Sequence, residues 1–211
     1  MSNQIKAILF DMDGVLVDAK DWHYEALNKA LRLFGYEISR YEHIHAFDGL
    51  PTKEKLKMIS QRYYLPETLH SFINELKQSF TMDYVAELCH PIFSHEYALS
   101  KLKKEGYMIA VCSNSIRRTI EVMMEKSALM PYLDLIISNE DVVKSKPDPE
   151  IYLMAMSKLG LKPEECVICE DNINGINAAL ASGGNLLKIN DVSDVNYENI
   201  SNFIKEVEGL E

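Results

Sequence analysis

The sequence predicts an α/β fold, a parallel sheet that carries a helical insertion after its first strand, and three observations predict it. Ile5, Ala7, Ile8, Leu9 and Phe10 form a nearly continuous apolar run broken only by Lys6, as suits a strand buried on both faces of a parallel sheet. From about Pro91 onward, short apolar runs alternate with stretches of helical periodicity, the pattern of right-handed βαβ units. Between about Asp21 and Leu88 the signals are helical alone.

In chain order, the first run is followed by Asp11-Met12-Asp13-Gly14, where glycine lets the backbone turn. Trp22, Ala26, Leu27, Ala30, Leu31 and Phe34 recur at helical spacing until Gly35 stops them. Residues 40–46 are ambiguous, and the breaker cluster Phe47-Asp48-Gly49-Leu50-Pro51 follows. Thr52 is expected to cap a helix bearing Leu56, Met58, Ile59 and Tyr63, and Pro66 to open another bearing Leu69, Phe72, Ile73, Leu76 and Phe80. Beyond Pro91 the expected elements are a helix over 95–104, a strand over 107–112, a helix over 117–127 and a strand over 133–137. A helix over 149–159, a strand over 166–169, a helix over 173–181 and a strand over 186–189 complete the alternation. An acidic last helix carries Ile200, Phe203, Ile204 and Val207. Since the helical block separates the first strand from its partners, it reads as an insertion. The expected division is an α/β core of residues 1–17 and 91–211 and a helical domain of residues 18–90.

The 211 residues suffice for one sizeable domain with an insertion, and 47% hydrophobic with 26% charged residues is ordinary for a globular chain. A net charge of -10 argues against a nucleic-acid-binding face, which needs clustered Lys and Arg. The longest uncharged stretch, 172–187, holds four Asn and three Gly and is too polar to span a membrane. Near the N-terminus, Lys6 and Asp11 flank a run too short for a secretory signal, so a cytoplasmic location is expected. Cys166 and Cys169 match C-x-x-C, yet positions three apart on a strand face opposite ways and no second Cys pair accompanies them, which argues against zinc or redox use.

Strand ends of one parallel sheet converge on one edge, where ligands bind in open α/β sheets. The first strand delivers Asp11 and Asp13, whose side chains share a direction. Two carboxylates so close repel, which implies a hard cation, a shared proton or both; a capping Asp followed by a turn Asp is the alternative. The second delivers Ser113-Asn114-Ser115 before a helix, an anion site or a simple N-cap. After the third comes Lys144-Ser145-Lys146-Pro147-Asp148-Pro149, in which two prolines fix the loop around Lys146, a cation suited to a phosphoryl group or an ordinary loop lysine. The fourth delivers Glu170-Asp171, oxygen ligands for a metal or helix caps. All four sets fall at one sheet edge in a workable chemical combination.

The ordered set D-M-D-G at Asp11, S-N at Ser113, K-P at Lys146 and E-D at Glu170 resembles the haloacid dehalogenase (HAD) superfamily of phosphotransferases. The continuation 14–18, the helical insertion and the run 170–179 resemble its subgroup containing β-phosphoglucomutase and phosphoglycolate phosphatase. This resemblance implies a Rossmann-like (HAD-like) core with an inserted helical cap, and hinges near 17–20 and 89–92. It further implies that Asp11 attacks phosphorus to form an aspartyl phosphate and that Asp13 serves as general acid and base. Mg²⁺ would be held by Asp11, the carbonyl of Asp13, Glu170 and Asp171, and Ser113, the amide of Asn114 and Lys146 would hold phosphoryl oxygens. A dehalogenase does not need the second Asp, so Asp13 favours phosphoryl transfer. His23 and Gly49, with Asp48, occupy places where cap residues of the subgroup tend to face the site.

The chain departs from the subgroup at Ala19, where Ser or Thr is frequent, and at Gly184, where an apolar residue is usual. After Gly49 the first positive charge is Lys53, whereas mutase-like members carry an Arg there that Lys does not replace equivalently. Asp48 stands where sugar-phosphate mutases commonly have Lys. The expected activity is therefore a Mg²⁺-dependent phosphatase of a small phosphorylated metabolite, sugar phosphates among the candidates. A phosphomutase is the first rival and an idle phospho-ligand-binding protein the second. Nucleic-acid, membrane and protein partners carry no cue.

Overall fold

The computed structural model describes residues 4–210. These form two compact units, the first holding the chain through Asp18 and from His90 on, the second Ala19–Cys89.

The first unit is built on five parallel strands, β1 (Ala7–Phe10), β2 (Met108–Cys112), β3 (Leu135–Ile137), β4 (Cys166–Glu170) and β5 (Asn185–Lys188), in the order β3-β2-β1-β4-β5. The apolar run at the N-terminus becomes the central strand, and all four of its residues are fully buried. Chain connectivity runs outward from β1 in both directions, so the carboxyl end of β1 is the point where the sheet order reverses. Phe10 is in register with Val111 on one side and Cys169 on the other, which sets Asp11 level with Cys112 and Glu170.

Helices α5 (Phe93–Lys104), α6 (Arg117–Lys126), α7 (Glu150–Leu159), α8 (Ile173–Ser182) and α9 (Tyr197–Glu208) complete this unit, and α1 to α4 belong to the second. One face of the sheet, with Leu9, Ala110, Cys112 and Ile168, buries Ile151, Tyr152, Ala155 and Met156 of α7 and Ala178 and Ala179 of α8. Gly184 meets a packing need, since a Cβ there would sit 2.7 Å from Ile168 Cδ1. Burial also holds the thiol of Cys166 up to about 12, so it stays protonated in the core. The third strand starts later than expected, because Asp134 uses its carboxylate on the Ile109 amide (2.7 Å) and Lys103 Nζ (2.7 Å).

The second unit contains α1 (Lys20–Arg32), α2 (Arg40–Glu42), α3 (Thr52–Tyr63) and α4 (His70–Leu88). Tyr24, Leu27, Ala30, Leu31, Ile38, Phe47, Leu56, Ile59, Leu65 and Ile73 form its core. The ambiguous stretch 40–46 opens with a capping box in which Ser39 Oγ accepts from the Glu42 amide (3.2 Å) and Glu42 returns the bond to the Ser39 amide (2.9 Å). It then widens into a π-turn, His43–Phe47, closed by an i→i+5 bond from the Asp48 amide to His43 O (2.8 Å), and this wider winding hides it from a search at 3.6-residue spacing. Thr52 does not cap α3: it is the first helical residue, Pro51 holds the cap position, and no side chain bonds there. Among the described residues no helix is long and apolar enough to cross a membrane.

Candidate active site

The loop after β1 is shaped by its own backbone. Val15, Leu16 and Val17 all donate to the Met12 carbonyl (3.3, 2.9 and 3.0 Å), and Gly14, at φ 91°, donates to Val17 O (2.7 Å). Asp11 is fixed to the sheet by its amide, which donates to Cys169 O at 3.0 Å. Asp13 turns toward the second loop, where Ser115 Oγ donates to its Oδ2 at 3.1 Å.

Lys146 is the hub of the edge. Although it comes from a loop, it is buried, and its ammonium donates to Asp11 Oδ1 (2.7 Å), Cys112 O (2.7 Å) and Glu170 Oε1 (2.6 Å). Those bonds use all three of its N–H groups. Burial lowers its pKa, but Asp11 and Glu170 more than reverse this, so it is held charged above its ordinary value. Two clamps fix the loop itself. Asn114 accepts from the Lys146 amide (3.1 Å) and donates to the Lys146 carbonyl (3.3 Å). Glu150 accepts from the amides of Val143 and Lys144, both at 2.9 Å.

Glu170 is almost fully buried, and its Oε1 also accepts from Tyr152 Oη at 2.5 Å, while Oε2 accepts from the Asp171 amide at 3.2 Å. Burial, then Glu170, raises the Tyr152 phenol well above its ordinary range, which keeps it a donor. Asp11, Glu170 and Asp171 bring ligand oxygens within 4.8 Å of one another. Two of these carboxylates, Asp11 and Glu170, thus grip one ammonium, and Asp171 stands beside them. Burial pushes the Asp11 pKa well up, Lys146 opposes this, and Glu170, Asp171 and Asp13 add to it. Such a hard-oxygen cluster, with more negative than positive charge, fits a divalent cation such as Mg²⁺.

The structure therefore brings together Asp11, Asp13, Ser113, Asn114, Lys146, Glu170 and Asp171 within the first unit, while His23 and Gly49 belong to the second. There His23 Nδ1 lies 3.0 Å from Nζ of Lys77, a buried lysine of α4. Two of the alternative readings fall away. The amide that opens α6, that of Arg117, donates to Glu140 Oε2 (2.7 Å), and the cap position is Ile116, so Ser113-Asn114-Ser115 is not an N-cap. The cap of α8 is Asn172, accepting from the Asn174 amide at 2.9 Å, which relieves Glu170 and Asp171 of that role.

Sequence reasoning missed Tyr152 as a participant, and it named Ser115 within the second loop without its bond to Asp13. Tyr152 carried a signal: it is the one residue of the inward face of α7 with a polar group, and a buried phenol needs a partner. Gly175 belongs to the site for steric reasons, since a Cβ on it would lie 1.9 Å from Glu170 Oε1.

Comparison with known proteins identifies the family. The model of a family described as haloacid dehalogenase-like hydrolase matches residues 8–189. A phosphorylated carbohydrates phosphatase of Thermotoga maritima is 27% identical over 217 residues, covering 96% of this chain and all of the relative (100%). A probable pseudouridine-5'-phosphatase of Saccharomyces cerevisiae is 30% identical over 198 residues, covering 87% of this chain and 81% of the relative. The crystal structure of β-phosphoglucomutase from Clostridium difficile superposes with a TM-score of 0.84 at 24% identity, covering 96% of this chain and 98% of that one.

Proposed function

Because the chain belongs to the family of haloacid dehalogenase-like hydrolases, we propose that it is a Mg²⁺-dependent phosphatase of a small phosphorylated metabolite, sugar phosphates included, acting through an aspartyl phosphate. The observation that carries this reading is Asp11 at the reversal point of the sheet, bonded to Lys146 inside a carboxylate cluster. Phosphatase relatives that span nearly the whole chain support it.

In this mechanism the Asp11 carboxylate attacks phosphorus in line and the ester oxygen leaves, taking a proton from Asp13. Asp13 then removes a proton from water, which releases phosphate and regenerates Asp11. Ser115 supports the orientation of Asp13 for both transfers. Ser113, the Asn114 amide and Lys146 hold the other phosphoryl oxygens, where positioning and charge stabilisation carry most of the rate. Asp11, the Asp13 carbonyl, Asp171 and Glu170 would hold Mg²⁺, which when bound neutralises charge and orients the phosphoryl group. His23 and Gly49 of the helical unit are assigned to substrate selection.

A screen of phosphorylated sugars, nucleotides and small acids with Mg²⁺, following free phosphate and isomerised product together, tests this. Phosphate release abolished by Asp11→Asn is expected. Isomerisation with little phosphate release would make the protein a phosphomutase and overturn the hydrolytic assignment.

A further inference from the structure

We propose that Tyr152 is a positioning residue for phosphoryl transfer, its hydroxyl holding Glu170 so that Glu170 in turn holds Lys146 on the nucleophile Asp11. This rests on the phosphatase reading above.

The tie is a continuous chain of short contacts: Tyr152 Oη to Glu170 Oε1 (2.5 Å), Glu170 Oε1 to Lys146 Nζ (2.6 Å), Lys146 Nζ to Asp11 Oδ1 (2.7 Å). One carboxylate oxygen therefore accepts from both the phenol and the ammonium, and neither donor can move without moving it. Tyr152 is itself immobile. It is fully buried on α7, packed with Ile151, Ala155 and Met156 against the sheet. Its ring also approaches the charge, with Lys146 Nζ 4.8 Å from the ring centroid. Gly175 makes room for the Glu170 carboxylate, since a Cβ there would lie 1.9 Å from Oε1 and 2.2 Å from Oε2. The phenol thus fixes the direction from which Glu170 meets the lysine. An ammonium on a four-carbon stem has no preferred direction of its own, so this support supplies the aim. Oε1 is taken by Lys146 and Tyr152, while Oε2 receives only the Asp171 amide, so Glu170 can hold the lysine with one oxygen and serve the cation cluster with the other.

Tyr152→Phe keeps the ring, the packing and the cation contact and removes only the hydroxyl. Phosphate release, Mg²⁺ affinity by calorimetry, and the ζ-¹⁵N ammonium signal of Lys146 by NMR would be compared with the parent protein. The expected result is a kcat lower by about tenfold, with KM and the Mg²⁺ dissociation constant each within about twofold, and faster solvent exchange of the Lys146 ammonium. A parental kcat, or a parental ammonium signal, would overturn the proposal. So would a weakened Mg²⁺ affinity whose cost in kcat disappears at saturating Mg²⁺, since Tyr152 would then be orienting a metal ligand. If the parent shows no Asp11-dependent phosphate release, the phosphatase reading fails, and the NMR comparison still decides whether Tyr152 holds the lysine.

Discussion

Gly175→Ala asks whether the Glu170 carboxylate is as tightly caged as the geometry states. Gly175 is the third residue of α8, and in an unobstructed helix alanine is more stable than glycine by about 1 kcal/mol. Here the added Cβ would lie 1.9 Å from Glu170 Oε1 and 2.0 Å from Cδ. The far end of a glutamate can usually swing aside. This one is 1% exposed and is tied to Lys146, Tyr152 and the Asp171 amide, so moving it breaks the buried ion pair with Lys146. Breaking such a pair costs about 3–5 kcal/mol. The difference leaves the variant less stable by about 2–4 kcal/mol, a fall in Tm on the order of 10 °C for a domain of this size. Thermal unfolding followed by near-ultraviolet circular dichroism reads the stability, and phosphate release reads the site. Both are expected to fall together. A variant at least as stable as the parent, with unchanged kcat, would refute the caging argument, because the helix propensity would then have outweighed the clash.

Lys146→Met removes the one ammonium from the carboxylate cluster, leaving Asp11, Glu170 and Asp171 to repel; stability in EDTA should fall by about 3–5 kcal/mol. Mg²⁺ should then raise Tm more in the variant than in the parent, and equal Mg²⁺-induced shifts in calorimetric scans would contradict the fit of that cluster to a cation. Asn114→Ala deletes both bonds to the Lys146 backbone, so kcat should drop on the order of tenfold with a smaller effect on Tm; a kcat equal to the parent's would mean that Glu150 and the prolines fix the loop without it. In the helical unit, burial, then Lys55 and further positive charge from Arg40 and His23, lower the pKa of His43 to about 4, against the pull of Asp48. A depressed histidine stabilises the fold above its unfolded pKa and loses that contribution as pH falls toward the folded value. Between about pH 6.5 and pH 4 this unit should therefore lose on the order of 3 kcal/mol; a His43 ring signal titrating near pH 6.5 by NMR would rule that out.

The sheet was legible because β1 is central and buried on both faces, which demands an unbroken apolar run that few other structures need. The same logic exposed the four loops, since residues at the carboxyl ends of parallel strands must converge whatever the helices do. What stayed hidden depends on three-dimensional pairing. Asn114 clamps a backbone 32 residues away and Ser115 reaches Asp13 across 102 residues, and neither distance leaves a periodic trace. Lys55 and Lys77 are buried in helices whose pattern of apolar residues gives no warning of it. The π-turn at His43–Phe47 escaped for a simpler reason, since its repeat is not that of the helix sought.

The three donors of Lys146 limit how it can meet a substrate on the phosphoryl-transfer reading. With its three N–H groups committed to Asp11, Glu170 and the Cys112 carbonyl, it can meet a phosphoryl oxygen only by exchanging one of them. All three bonds are charge-assisted by the ammonium, but only those to the two carboxylates are also ion pairs, so the neutral carbonyl is the partner that costs least to give up. Cys112 ends β2, level with Asp11, and the lysine can therefore turn from strand to substrate while Glu170 keeps its base in place. On the phosphoryl-transfer reading, the Glu170–Tyr152 anchor serves this movement: it lets the ammonium change one bond without losing its aim, and leaves the charge balance around Asp11 intact as the phosphoryl group arrives.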